Sequence, residues 1–416
     1  MDAMTKPTSK DFIEKEGKYG AHNYHPLPVV LERGKGIFMW DVEGKRYFDF
    51  LSAYSAVNQG HCHPKIVAAM VEQAQKLTLT SRAFYNNVLG EFEQYVTSYF
   101  GYDKVLPMNS GAEADETALK LCRKWAYVKK GIAENQAKII VCDGNFHGRT
   151  ITIVSMSNDP ESYGGFGPFT PGFIKISYNN IAELEKALED PNVAGFLLEP
   201  IQGEAGVFVP DEGYLAKAYE LCKKKNVLFM ADEVQTGIAR TGKLLACDHE
   251  NVHPDILILG KAISGGVMPV SCVLANDDIM LCIKPGEHGS TFGGNPIAAK
   301  VAIAALEVVK NEKLAENAAR LGEIFRTEMR NFDSPMIELV RGKGLLNAIV
   351  IKNMHGKTAW DVCLAMRDRG VLAKPTHGNI IRFAPPLVIT EEELREAISL
   401  IQLAFKDIEN GKQPIE

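Results

Sequence analysis

The run Asp255-Ile256-Leu257-Ile258-Leu259-Gly260-Lys261 decides how the rest of the chain is read. Four apolar residues in a row predict a short strand buried on both faces, as in a parallel sheet. The run ends at Gly260 and Lys261, ahead of the flexible Ser264-Gly265-Gly266. In an open α/β sheet, ligands bind in the crevice beyond the carboxyl ends of the strands. A lysine placed there is either a solvated charge or a functional amine. A second apolar run, Val227-Leu228-Phe229-Met230-Ala231, ends in Asp232, 29 residues before Lys261. That distance fits one strand-to-strand crossover, which brings an acid and an amine to the same sheet edge. An amine able to form a Schiff base, with a carboxylate facing a pyridinium nitrogen, is the arrangement that pyridoxal phosphate (PLP) requires.

The chain has 416 residues, enough for two or three domains, each with its own core. Its composition, 46% hydrophobic and 24% charged, is that of a soluble globular enzyme. The formal charge of −6 is spread over both signs, so no basic face for nucleic acid is expected. No apolar run approaches the roughly 18 residues that span a bilayer, so no membrane partner is expected either. The opening Met1-Asp2-Ala3-Met4-Thr5-Lys6 lacks the pattern of a secretion signal or organelle leader, which points to a cytoplasmic address and is compatible with a removed leader. Eight cysteines without a CxxC pair are expected to be reduced and mostly buried. His61-Cys62-His63 has a metal-like look, but no second ligand pair at zinc-site spacing accompanies it and Pro64 opens a helix, so no metal is expected.

Taken in order, residues 1–20 predict a polar arm with a short helix, and 29–51 a small antiparallel meander. The stretch 51–60 is too rich in small and polar residues for regular core structure. Helices at 64–77 and 88–100 follow from their apolar spacing. Strands are then expected at 105–108, 138–142, 152–156, 173–177, 194–198, 227–231, 256–259 and 270–275, with helices at 111–129, 180–189 and 213–225 between them. Such alternation indicates a mostly parallel sheet covered on both faces. Two helices, 297–310 and 313–331, lead to a tail of strands and helices that reads as α+β. The expected fold class is α/β, with a mostly parallel central sheet in a large domain and a smaller α+β domain. The division is an N-terminal arm and meander (1–60) packing with the small domain, a large domain (61–311) and a C-terminal small domain (312–416).

Five constellations could carry chemistry. Ser110-Gly111-Ala112-Glu113-Ala114 lies where a strand passes into a helix, so its backbone N–H groups suit an anion, although an ordinary N-cap serine reads the same way. It is neither a P-loop nor a dinucleotide fingerprint, which disfavours a nucleotide-binding dehydrogenase. Ser290-Thr291-Phe292-Gly293-Gly294-Asn295 is a second turn of that kind. In Asn145-Phe146-His147-Gly148-Arg149, the aromatic is either core or a stacking surface for a flat ring, and the arginine either surface charge or a carboxylate clamp. Glu199-Pro200-Ile201-Gln202-Gly203-Glu204-Ala205-Gly206 carries acids in a glycine-rich loop, where solvation is the ordinary fate. Arg382, inside Ile380-Ile381-Arg382-Phe383, needs a counter-charge, because leaving it buried and unpaired would cost about 3–5 kcal/mol.

Together these motifs, with Leu51-Ser52-Ala53-Tyr54-Ser55-Ala56-Val57-Asn58-Gln59-Gly60-His61 and Ala231-Asp232-Glu233-Val234-Gln235-Thr236-Gly237, resemble the class III (subgroup II) PLP-dependent aminotransferases over essentially the full length. The resemblance implies the type I PLP fold and a homodimer, or dimer of dimers, with active sites shared across the interface. It implies that Lys261 holds PLP as a Schiff base and shuttles a proton, and that Asp232 keeps the pyridine nitrogen protonated. Phe146 would stack on the ring and Gln235 would meet its phenolic oxygen. Gly111 and Ala112, helped by Ser110, would bind the phosphate, with Ser290 and Thr291 reaching the phosphate of the partner subunit. The implied reaction moves the δ-amino group of L-ornithine to 2-oxoglutarate in two half-reactions. Tyr24 and Arg149 would hold the α-amino and α-carboxylate groups of ornithine, and Tyr54 would shape the pocket. For glutamate, Arg382 would anchor the α-carboxylate and Arg149 the distal one, while Glu204 would pair with Arg382 whenever ornithine is bound. The alternatives are another ω-aminotransferase, acting on N-acetylornithine or 4-aminobutyrate, and a PLP-binding protein without transferase activity.

Overall fold

The structure, a computed structural model, describes residues 6–415, so the opening Met1-Asp2-Ala3-Met4-Thr5 on which the address expectation rests lies outside the described residues. A helix over Ser9–Tyr19 precedes strands β1 (Leu31–Lys35), β2 (Phe38–Asp41) and β3 (Arg46–Asp49). The central strands are β4 (Lys104–Met108), β5 (Lys138–Cys142), β6 (Phe173–Ile176), β7 (Val193–Leu198), β8 (Leu228–Asp232), β9 (Ile256–Leu259) and β10 (Ser271–Ala275). The C-terminal strands are β11 (Ile337–Lys343), β12 (Leu346–Ile351), β13 (Val371–Leu372), β14 (Lys374–Thr376) and β15 (Ile380–Phe383).

Seven strands form the central sheet in the order β4-β10-β9-β8-β7-β5-β6. Only β10 runs against its neighbours, pairing antiparallel with both β4 and β9. Parallel strands need crossover connections that cover the sheet's faces, so nearly every residue in them is apolar. Strand β9 shows this directly: Ile256 and Ile258 pack into the cluster of helix Gly111–Trp125, and Leu257 and Leu259 into that of helix Pro296–Asn311. The alternation follows from the two-residue period of a strand.

The segment expected as a strand at 152–156 is instead a helix, Ile151–Met156. Its β-branched residues favour a strand, but β5 and β6 are parallel neighbours and the chain between them has to cross over one face. The tertiary requirement wins.

The meander is extended by β13, which pairs parallel with β3, and β11, β12, β15 and β14 form a separate sheet. Arg240, fully buried, links these regions to the centre by donating to Asn58 Oδ1 (3.2 Å, from Nε), Leu345 O (3.0 Å) and Pro385 O (2.6 Å). Among the described residues no helix is long and apolar enough to cross a membrane.

Candidate active site

Strands β8 and β9 are adjacent and parallel, with Asp232 opposite Ile258, so Asp232 and Lys261 emerge at one sheet edge as their spacing predicts. Both line a cavity of about 170 Å³. Lys261 begins a short 3-10 turn with φ +43°. A left-handed conformation costs a non-glycine residue roughly 1–2 kcal/mol, and strain of this kind clusters at functional sites. Burial pushes its ammonium down to about 8, against the opposing pull of Asp232. The unfolded chain keeps this proton to near 10.5, so between about 8 and 10.5 only the unfolded form is charged. Burying the amine therefore costs stability at pH 7, and that cost fades as pH rises through this window. For the same reason, the apo protein should capture an aldehyde with a rate that climbs about tenfold per pH unit below 8 and levels off above it. Stopped-flow absorbance would read this, and a flat profile from pH 6 to 9 would refute it.

Asp232 is held from two sides. Its Oδ1 accepts the Val234 N–H (2.9 Å), and its Oδ2 meets His147 Nδ1 at 2.6 Å. Burial works against a charge on His147, but the hydrogen bond and charge of Asp232 outweigh it and raise the imidazole's pKa. Asp115 lies behind, 3.8 Å from the same nitrogen, and burial next to Asp232 drives its carboxyl far up, towards the neutral acid. These three side chains have the clustering of a metal site. The 2.6 Å contact between His147 Nδ1 and Asp232 Oδ2 is a direct hydrogen bond. Glu199, also lining the cavity, accepts N–H groups from Phe146 (2.9 Å) and Gly203 (3.2 Å), and burial pushes it up to about 7.

At the cavity's other end stands the N-terminus of helix Gly111–Trp125. Ser110 and Glu113 close a capping box, with Ser110 N–H on Glu113 Oε2 (2.7 Å) and Glu113 N–H on Ser110 Oγ (3.2 Å). Gly111 and Ala112 line the cavity, and their N–H groups precede the first internal helix bond, from Ala114 N–H to Ser110 O. A Cβ on Gly148 (φ +126°) would lie 2.7 Å from that of Ala112, so only glycine lets this loop approach the helix. An anion at these N–H groups, a flat ring beside Phe146, a carboxylate at Asp232 and an amine at Lys261 together fit pyridoxal phosphate.

Arg382 is 2% exposed and is met as its sequence demands. Its Nη1 donates to Glu204 Oε2 (2.6 Å) and its Nη2 to Gln235 Oε1 (2.8 Å), while its guanidinium lies 5.3 Å from the Tyr54 ring centroid. Because Arg382 engages the amide oxygen of Gln235, the amide N–H₂ is left for an oxygen in the cavity. Burial, then the nearby Glu204 charge, raises the Tyr54 phenol. Tyr54 sits in a turn with no precedent in the sequence reading: Ser52, Ala53, Tyr54 and Ser55 all have positive φ, 46° to 74°. Arg149 is exposed, donates to Ser162 Oγ (2.9 Å), lies 5.3 Å from the Phe146 ring and has no carboxylate partner among the described residues.

Of the expected site residues, Gly111, Ala112, Phe146, Asp232, Gln235 and Lys261 line the cavity; Ser110, Tyr54, Arg149, Glu204 and Arg382 do not, and Arg382 touches its wall through Gln235. Tyr24 is 74% exposed and lines a groove beside helix Ser9–Tyr19. Ser290 accepts from Asn109 Nδ2 (2.9 Å) and the Gly293 N–H (3.0 Å), Thr291 is exposed, and neither lines the cavity. His147, Glu199, Val234 and Asp115 also line the cavity without having been expected there; the first three stand inside the motifs at 145–149, 199–206 and 231–237. Asp115 left one signal, an acid on a helix face otherwise made of Ala114, Ala118 and Leu119.

The family described as aminotransferase class-III matches residues 19–405. The mitochondrial ornithine aminotransferase of Rattus norvegicus is 65% identical over 95% of this chain and 90% of its own length. The crystal structure of the ornithine aminotransferase from Toxoplasma gondii superposes with a TM-score of 0.96 at 51% identity, covering 98% of this chain and 97% of that one. A structure described as acetylornithine aminotransferase from Elizabethkingia anophelis is 62% identical, with a TM-score of 0.89, over 96% of this chain and 100% of that one.

Proposed function

The chain belongs to the class-III aminotransferases, and from its likeness to the ornithine aminotransferases of rat and Toxoplasma gondii we infer that it transfers the δ-amino group of L-ornithine to 2-oxoglutarate. The products are glutamate 5-semialdehyde, which cyclises to pyrroline-5-carboxylate, and glutamate. The cofactor is pyridoxal phosphate. When bound, it supplies an aldehyde for amines and a cationic ring that accepts the electron pair released at the substrate carbon.

In this reading, Lys261 holds the aldehyde carbon and, once free, moves a proton to and from the substrate carbon. Its depressed affinity for protons suits both tasks. Asp232 would face the ring nitrogen, and His147 holds that carboxylate in place. The Gly111 and Ala112 N–H groups hold the phosphate, and Phe146 covers the ring. Arg149, without a carboxylate of its own, takes the α-carboxylate of ornithine, and Tyr24, near enough to Tyr54 to act on its phenol, meets the α-amino group from outside the cavity. Glu204 occupies Arg382, so the amino-acid end of ornithine is not drawn to the wrong anchor. A dicarboxylate displaces Glu204, which is the more mobile partner because its side chain is 31% exposed against 2% for Arg382. That asymmetry is the observation that carries the two-substrate reading.

Ser290 and Thr291 act on the phosphate of a second subunit, so the working unit is a homodimer. The exposed Phe12, Phe84, Tyr85 and Phe292 support such an interface, and a solution mass of 45.8 kDa would refute it. The three-part division at residues 60 and 311 belongs to this proposal and is supported by the parallel pairing of β3 with β13, which ties the meander to the C-terminal region. A cytoplasmic address also remains a proposal, and the rat relative is mitochondrial by name.

The activity named for the Elizabethkingia structure makes N-acetylornithine the competing donor. The spectrum of the loaded protein should convert on adding ornithine, revert on adding 2-oxoglutarate, and respond at least about tenfold less efficiently to N-acetylornithine, whose α-nitrogen has lost its charge. The opposite order of donors would replace this assignment.

A further inference from the structure

His61, which the sequence sets beside Cys62 and His63 in a metal-like cluster, has another partner in the fold. Its Nε2 donates to Asp49 Oδ2 at 2.7 Å. Asp49 is 2% exposed, and its second oxygen accepts the backbone N–H groups of Leu51 and Ser52, each at 2.8 Å. Those two residues lead directly into the left-handed turn Ser52–Ser55, a conformation that L-residues avoid and that here involves no glycine. Within the turn, Leu51 O accepts the Tyr54 N–H (3.0 Å) and Ser52 O those of Ala56 (2.9 Å) and Val57 (3.1 Å), whereas the hydroxyls of Ser52 and Ser55 are buried without a partner among the described residues. His61 itself is fixed. Its backbone pairs with Gly36 (2.7 and 3.0 Å), and its ring lies so close to Gly34 that a Cβ there would stand 2.9 Å from the His61 Cβ and Cγ.

We propose that His61 and Asp49 are positioning residues for donor specificity: they lock the left-handed turn and thereby place Tyr54 over Arg382. The inference rests on the assignment of Tyr54 and Arg382 to the substrate site. The strand β1 edge anchors the imidazole, the imidazole fixes the carboxylate, and the carboxylate fixes the N–H groups that start the turn. Without the imidazole, Asp49 keeps the Leu51 and Ser52 N–H groups on one oxygen but loses the contact that orients the other, the turn relaxes towards ordinary backbone angles, and Tyr54 leaves the face of Arg382. The ornithine half-reaction, which needs Arg382 covered, suffers. The glutamate half-reaction, which needs it uncovered, does not.

The test compares holoenzyme carrying His61→Leu, His61→Gln and the pair His61→Leu/Ala53→Gly. For His61→Leu, kcat/KM with ornithine should fall about tenfold, mostly through KM, with the glutamate half-reaction within about twofold of the unmodified protein. His61→Gln keeps an N–H donor and should stay near the unmodified values. Glycine at position 53 accepts the left-handed angles without strain, so the pair should recover most of the ornithine loss. Thermal midpoints and cofactor spectra are measured beside the rates. Equal losses in both half-reactions, or a failure of Ala53→Gly to recover the ornithine rate, would mark a merely structural contact and overturn the proposal. A His61→Leu protein that matches the unmodified one overturns the lock alone. Unmodified protein that ignores ornithine overturns the substrate assignment and the lock together.

Discussion

Replacing Lys261 with alanine lowers transamination by on the order of 10⁴-fold, because one change removes both the covalent anchor and the proton carrier. The phosphate and ring contacts at Gly111, Ala112, Phe146 and Asp232 survive, so the cofactor still binds but can be dialysed away after treatment with borohydride. Stability moves the other way. The folded protein no longer has to bury an amine that holds its proton up to about pH 8, so the apo variant melts no lower than the unmodified apo protein at pH 7. A Lys261→Ala protein with covalently held cofactor and full turnover would remove the basis of the whole assignment.

Glu204→Ala shifts the balance between the two half-reactions towards glutamate by about 10- to 100-fold. This is the range set by losing one charge-assisted hydrogen bond from Arg382. Ornithine loses the cover that kept its amino-acid end away from Arg382, while the dicarboxylate no longer has a carboxylate to displace. Arg382 keeps Gln235 and the Tyr54 face, so the site is not left with a wholly uncompensated cation. Separate stopped-flow measurements of the two half-reactions read the ratio. If it stays unchanged, Glu204 does not act as the switch.

The placement of Asp232 and Lys261 was legible because their spacing reports topology. Two apolar runs one crossover apart leave their terminal residues at one sheet edge whatever the details between them, and β8 and β9 obey this. Arg382 was legible for a different reason, since a cation in an alternating apolar strand has to find an acid, and Glu204 is that acid. The segment at 151–156 was misread because its β-branched composition is a local property, whereas the need to cross over between β5 and β6 is not.

By itself the sequence determined the parallel sheet, the amine and acid at its edge, and the capped helix start at Ser110. Burial pattern, strand spacing and turn chemistry are written along the chain, and they suffice for those features. Only the tertiary structure decided that His147 and Asp115 stand behind Asp232, that Tyr24 lies in an outer groove, and that Ser52–Ser55 run left-handed under the hold of Asp49 and His61. The first depends on contacts between residues far apart in the chain and the other two on nearer neighbours that the fold packs together, and in each the combined energy overrides what a residue prefers alone.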